Sequence, residues 1–321
     1  MESITEPHMS FLPSLKQLQY LIALSEHLNF NRAAEACFVT QSTLSAGLKE
    51  LERLLGRRLV ERDRQTVLMT PLGMDIVRRA HAILTAAQDL VDLVAADGDA
   101  VSGTLRLGVI PTIAPFLLPK ALPLLRKRHP GLRLMLREDL SANLLTRMEH
   151  GQIDFALLAL PYDTNKFMTK SLFDDPLWIV GAKNDPLLSE KNIRLTPKIV
   201  ERLLLLEEGH CLRDHVLFAC NKPERKLSGQ IEATSLLTLV EMVNSGFGLG
   251  LIPEMAVKSG LASGAELVVR PVIKPRPSRT IALAARRSTP RLGEMEALAD
   301  AICQAHLQNA LPEARPHERP H

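Results

Sequence analysis

Residues 40–56 read TQSTLSAGLKELERLLG. Leu44, Leu48, Leu51 and Leu55 recur at the three- and four-residue spacing that gathers apolar side chains on one face of an α-helix. Thr40 can cap its first turn and Gly56 can end its last. The polar face carries Gln41, Ser42, Thr43, Ser45, Lys49 and Arg53, which can hydrogen-bond base edges or phosphates. Just upstream, residues 31–37 (NRAAEAC) predict a second short helix whose alanines permit close contact, and Val39–Thr40 leaves room only for a tight turn. Two short helices joined in this way make a helix-turn-helix, and the polar face predicts a recognition helix in a major groove. The periodicity taken alone also fits a helical hairpin with a solvated polar side.

The flanks extend this module. Leu15, Leu18, Ile22 and Leu28 predict an amphipathic first helix over 15–28. Downstream, residues 59–62 and 67–70 can pair as a hairpin around Asp63–Thr66, a wing with Arg62 and Arg64 near its tip to meet phosphates. Arg32, on the second helix, joins the candidate DNA contacts. Thr70–Pro71 then opens a long helix in which Leu72, Ile76, Ala80, Ile83, Ala87, Leu90 and Val94 form a narrow apolar seam to about Asp97. Its length of roughly 40 Å suits pairing with its twin in a dimer, which would set two recognition helices on a near-palindromic site. Residues 95–103 (AADGDAVSG) read as a linker. The net charge of +3 is too small to announce a nucleic-acid partner, so the DNA reading rests on the motif.

The remainder alternates. Residues 104–110, 132–138 and 153–160 are strand-like, and 113–129 and 141–150 are helix-like, which predicts a parallel sheet with helices on both faces. The chain is expected to cross near Phe173–Pro176 into a second set of elements reaching about Lys274, and RTIALAARR (279–287) to return as a strand. The expected fold class is α/β: a mostly helical winged helix-turn-helix over 14–70, a dimerising linker helix over 71–98, and an effector domain over 103–306. That domain divides into subdomains 103–174 with 277–306, and 175–276, with a cleft between them. Residues 1–13 and 308–321 are expected to be disordered. The N-terminus lacks a basic, apolar leader and no apolar run reaches the ~18 residues of a membrane span, so a cytoplasmic protein without membrane contact is expected.

The order of these parts resembles the LysR-type transcriptional regulators. The resemblance is carried by FNRAAEACFVTQSTLSAGLKELERLLG (30–56), LVERDRQTVLMTPLG (59–73) and VNSGFGLGLIP (243–253). Within that family, GHCLRDHVLFAC (209–220), GVIPT (108–112) and IKPRPSRTIAL (273–283) resemble the peroxide-sensing branch. The resemblance implies a two-lobed effector domain similar to periplasmic binding proteins, promoter DNA and RNA polymerase as partners, and homodimers or homotetramers. It further implies hydrogen peroxide as signal, a glutaredoxin- or thioredoxin-type reductant, and a regulator that is not an enzyme and needs no cofactor.

Four cysteines in 321 residues are too few for a disulfide scaffold, so the pair Cys211 and Cys220, nine residues apart, points to metal binding or redox chemistry. Peroxide is attacked by a thiolate, and His210 and Arg213 flank Cys211 as cations expected to favour one. The resemblance implies that Arg279 approaches the same site and that Thr112 and Ser141 offer hydroxyls to the peroxide. A sulfenic acid at Cys211 can condense with Cys220, its neighbour in sequence. If the intervening residues are helical, the two side chains lie on opposite faces with alpha carbons roughly 13 Å apart, against about 4.4–6.8 Å in a disulfide. Oxidation would then have to unwind the segment.

Other readings stay open. His210, Cys211, His215 and Cys220 could hold zinc, although adjacent His210 and Cys211 fit one ion poorly. The thiols could be unrelated buried residues, the reading given to Cys37 and Cys303. Thr112 and Ser141 could contact a small organic anion in the interlobe cleft. A true peroxidase would share the thiol chemistry, but nothing in the sequence suggests a dedicated reductant site.

Overall fold

The computed structural model describes residues 12–62, 67–95, 101–220, 232–263, 266–273 and 275–308. Contacts divide the chain into one unit of residues 1–94, with 149–151 counted in it, and a second comprising the rest.

In the first unit, helix α1 (Leu15–His27) starts where Ser14 and Gln17 cap each other, the Ser14 hydroxyl accepting from the Gln17 N–H while the Gln17 side chain accepts from the Ser14 N–H. The predicted stripe is corrected at both ends: Leu15 is 47% and Leu28 49% exposed, whereas Tyr20, Leu21 and Leu24 are buried with Leu18 and Ile22. The reason is that α1 packs on two helices at once, α2 (Phe30–Ala36) and α3 (Gln41–Leu55), and so buries a broader face than one stripe.

Helix α3 starts at a Thr40 hydroxyl accepting from the Thr43 N–H and ends at Gly56, whose φ of 66° is left-handed. Leu44, Leu48 and Leu51 are buried, and Leu55 is partly exposed at the helix end. Glu52 then accepts from the backbone N–H groups of Leu59 and Val60, tying the end of α3 to the wing strands β1 (Val60–Arg62) and β2 (Val67–Met69). These pair antiparallel with Val60 opposite Met69. Arg64, at the predicted wing tip, lies outside the described residues.

Helix α4 (Pro71–Ala95) is capped by Thr70, which accepts from the Gly73 N–H. Val77 and Ala80 join the helix-turn-helix core, while Leu72, Ile83 and Leu90 of the seam stand exposed along with Met74, Val91 and Leu93.

In the second unit, β3 (Gly103–Val109), α5 (Ala114–Arg128), β4 (Leu132–Glu138), α6 (Ser141–Glu149) and β5 (Phe155–Leu160) build the first lobe, with β3 parallel to both β4 and β5. The next strand, β6 (Phe167–Ala182), carries the chain through Phe173–Pro176 as one unbroken strand of 16 residues, the first part beside β11 and the last part beside the second-lobe strands. The second lobe follows as α7 (Pro197–Val200), β7 (Leu205–Leu206), α8 (Cys211–Ala219), β8 (Glu232–Ala233), α9 (Leu236–Asn244), β9 (Gly250–Pro253), α10 (Glu254–Lys258) and β10 (Leu267–Pro271). Strand β11 (Ser278–Arg286) then returns and α11 (Leu292–Gln308) closes the first lobe against α5.

The seven-stranded sheet is therefore mixed rather than parallel, in the order β10-β6-β11-β5-β3-β4 with β9 also on β6. Strand β11 is antiparallel to β5 and β6, while β9 and β10 pair antiparallel with the far half of β6. The acidic run FDDP stays in strand because its polar groups are met across the ladder. Asp175 faces Arg279 and Asp174 faces Thr280, whose hydroxyl donates to it at 2.7 Å. Among the described residues, no helix is long and apolar enough to cross a membrane.

Gly73 marks the tightest approach in the first unit, since a Cβ there would lie 2.2 Å from the Leu59 carbonyl oxygen. Gly73→Ala is expected to destabilise this unit by about 1–3 kcal/mol, the usual range for overpacking. Chemical denaturation checks this, and an unchanged midpoint would contradict it.

Candidate redox site and DNA-binding face

Arg279 is 1% exposed, and its fork is almost fully occupied. Its Nε donates to Asp175 Oδ2 at 3.0 Å, Nη1 to Thr112 Oγ1 at 2.7 Å and Nη2 to the Thr112 carbonyl at 2.9 Å. Asp175 is itself fully buried, and its second oxygen accepts from the Met255 N–H at 3.0 Å. Burial pushes the Asp175 carboxyl upward, and Arg279 pulls the other way. The pair thus joins the turn after β3, the middle of β6, the first residues of β11 and the start of α10.

Cys211 begins α8 and is 4% exposed. Burial raises its thiol above the ordinary range, outweighing Arg279 and Ser141, which favour the thiolate. The expectation of a thiolate prepared by its flanking cations is corrected here. Arg213, two residues along the helix, points about 200° around it from Cys211. Its guanidinium donates to the Leu206 carbonyl at 2.8 Å and to Glu232 at 2.6 Å, fastening α8 to the β7–β8 pair. His210 is buried with its Nε2 3.8 Å from Glu207. The cation that acts on the sulfur comes from β11, distant in sequence.

Two further polar atoms are buried here without a hydrogen-bond partner, the Ser141 hydroxyl and His215 Nδ1. Ser141, at the start of α6, lies near enough to Cys211 to favour its thiolate, yet its hydroxyl makes no hydrogen bond of normal distance and angle. His215 follows Cys211 by one helical turn, which places the two on one face. Its Nε2 lies 3.1 Å from the Pro161 carbonyl, an acceptor only, so Nε2 carries the hydrogen and a neutral ring leaves a lone pair on Nδ1. That Nδ1 is buried and unpartnered. Burial lowers the ring's pKa, the hydrogen bond to Pro161 opposes this, and Arg279 adds to the lowering. Sequence reasoning considered His215 only as a metal ligand; its i+4 spacing from Cys211 was the available signal.

Cys220 closes α8 as its C-cap, partly buried, and the helix between the two cysteines is unbroken. The four cysteines form no disulfide, and nine helical residues separate the two alpha carbons by roughly 13 Å. Cys37 and Cys303 are half-buried, with thiols raised by burial. Among the described residues, no group of three or more His, Cys, Asp or Glu converges as a metal site.

In the first unit, Gln41, Ser42, Thr43 and Lys49 of α3 are exposed, as is Arg32 on α2, while Ser45 is half-buried. Arg53 is exposed and pairs with Glu50 at 2.6 Å, a solvated ion pair that a phosphate could displace. The backbone of Arg62 ends β1. Arg57 and Arg58, directly after α3, are also exposed and were missed by the sequence reading although the run GRR was visible.

Two family models match: the bacterial regulatory helix-turn-helix protein of the lysR family over residues 15–74, and the LysR substrate binding domain over 98–306. The chain is 46% identical to the HTH-type transcriptional regulator EstR of Acinetobacter baylyi, over 92% of this chain and 97% of that protein. It is 37% identical to the hydrogen peroxide-inducible genes activator of Dickeya chrysanthemi, over 92% and 96%. A structure of a full-length OxyR variant from Pseudomonas aeruginosa superposes with a TM-score of 0.75 at 36% identity, covering 91% of this chain and 98% of that one.

Because burial outweighs Arg279, alkylation of Cys211 by iodoacetamide is expected to be slow at neutral pH, rising only above the range of an ordinary thiol. Peptide-resolved mass spectrometry across a pH series checks it, and a midpoint below that of free cysteine would contradict it. Asp175→Asn leaves Arg279 buried without its counter-charge and is expected to cost about 3–5 kcal/mol in chemical denaturation. A loss below 1 kcal/mol would show the pair to be dispensable.

Proposed function

This chain belongs to the LysR family of bacterial helix-turn-helix regulators, and on that footing we propose that it senses hydrogen peroxide through Cys211 and converts the signal into altered transcription from promoter DNA. The observation that carries the reading is the buried polar site itself: a thiol beside a fixed guanidinium, with the Ser141 hydroxyl and His215 Nδ1 both unpartnered. Hydrogen peroxide suits such a site, because each of its oxygens can donate to the histidine nitrogen or accept from the serine hydroxyl. Arg279 donates to both Thr112 oxygens, which fixes the Thr112 side chain and leaves its hydroxyl hydrogen to be donated to the peroxide. It also helps hold Arg279 in place.

The reaction has two steps. The Cys211 sulfur attacks one peroxide oxygen as the O–O bond breaks, its proton passes by way of His215 Nδ1 to the departing hydroxide, and water leaves behind a sulfenic acid. The Cys220 thiol then attacks that sulfur and releases a second water, forming the disulfide. The two sulfurs can meet only if α8 unwinds, so the bond acts as a conformational switch. His210 lies within the N-cap turn that this movement disturbs, and Arg213 provides a tether that it must release.

The exposed seam residues Leu72, Ile83 and Leu90 support pairing of α4 with a second copy, in a homodimer or homotetramer. Gln41, Ser42, Thr43, Ser45, Lys49, Arg53 and Arg32, with Arg62 and Arg64 of the wing, would contact the DNA. RNA polymerase as downstream partner and a glutaredoxin- or thioredoxin-type reductant complete the proposal.

The test exposes the protein to a low peroxide dose, maps all four thiols by mass spectrometry and follows transcription from its promoter. Linkage of Cys211 to Cys220 alone, with loss of the response in Cys211→Ser, is expected. A promoter response that persists in Cys211→Ser on adding an organic metabolite would move the signal to the interlobe cleft. His215→Phe keeps the ring but removes the lone pair, and is expected to slow sulfenic acid formation about a hundredfold, the usual worth of a placed proton acceptor. An unchanged trapping rate with dimedone would remove His215 from the reaction.

A further inference from the structure

Helix α2 ends in a Schellman motif: the Val39 N–H donates to the Ala34 carbonyl at 3.0 Å and the Phe38 N–H to the Glu35 carbonyl at 3.0 Å. This closure requires a left-handed residue at position 38, and Phe38 has φ 56°. Glycine takes that conformation without strain, and any side chain there costs free energy; for a bulky one the strain is greatest. The end of α3 uses glycine for this purpose, at Gly56. Leu28 also adopts it at the end of α1, but half its surface is covered. Phe38 is 96% exposed, so the ring recovers nothing by packing within the chain.

Neither folding nor solubility accounts for an aromatic ring held in a strained turn and left in water. Its position does. Phe38 stands two residues before the Thr40 cap, three residues ahead of the exposed Gln41, Ser42 and Thr43 at the start of α3 that a helix-turn-helix points toward bases and phosphates. An apolar ring at that edge complements the part of DNA that is not charged, the thymine methyl group and the C–H faces of the deoxyribose.

We propose that Phe38 is a DNA-contact residue that packs its ring on the thymine methyl and sugar surface of the bound duplex, alongside the hydrogen-bonding side chains of α3. This rests on the family's DNA binding and adds an apolar contact that the polar face does not contain. The contact removes the ring from water only in the complex, so it strengthens binding while the free protein bears the strain.

The experiment uses the full-length chain and a duplex that the wild-type protein enriches from a random-sequence pool. Phe38→Gly and Phe38→Asn, both tolerant of the left-handed turn, are compared with wild type for affinity across a salt series and for thermal unfolding. Both variants are expected to bind about tenfold more weakly, with the slope of affinity against salt unchanged because no phosphate contact is lost, and to melt no lower than wild type. Unchanged affinity in either variant would overturn the proposal. So would a loss of affinity accompanied by a lower melting temperature, which would mark a structural role, or a salt slope reduced by about one contact. Failure of the wild-type protein to enrich any duplex would instead overturn the DNA reading itself, and this contact with it.

Discussion

A guanidinium buried to 1% exposure needs a counter-charge and hydrogen-bond acceptors, and Arg279 finds them in Asp175, directly opposite on β6, and in Thr112 after β3. That requirement fixes the register of β6 against β11 at the point where the chain passes between lobes. It keeps an acidic run in strand, holds the start of α10 through the Met255 N–H, and sets a permanent positive charge near the N-terminus of α8. The sulfur chemistry is built on this frame. Burial raises the Cys211 thiol, and Arg279 opposes this without overcoming it.

The stability of α8 has an unusual distribution. Nine residues are too few for a helix to persist on its own in water, so it depends on tertiary ties. Arg213 provides two of these, to Leu206 and Glu232, and His215 a third, to Pro161. Each such hydrogen bond is worth about 0.5–1.5 kcal/mol net, so releasing them costs a few kcal/mol. A disulfide contributes on the same scale, typically about 2–4 kcal/mol.

The helix-turn-helix was legible because its signals are local: Thr40 and Gly56 cap α3 where their residue types allow it, and the leucine spacing needs no tertiary knowledge. The separation of Cys211 and Cys220 along a helix was legible for the same reason. The strand directions of the sheet were not, because alternation of strands and helices over 104–160 fits a parallel sheet and says nothing of β11, which returns antiparallel to β5 and β6 about a hundred residues later. Nor was the use of Arg213, since proximity in sequence to Cys211 says nothing about which side of a helix a side chain leaves from. Burial of Cys211, which reverses the expected direction of its pKa, is a property of the packed core of the effector unit and has no local signature.

The central claim is that the bond between Cys211 and Cys220 forms only by dismantling α8, and hydrogen–deuterium exchange across residues 205–220 of the reduced and peroxide-oxidised protein tests it most directly. The account predicts slow exchange of the α8 amides in the reduced form and a large loss of that protection once the crosslink has formed. Equal protection in both forms, with the crosslink verified by mass spectrometry in the same sample, would contradict it.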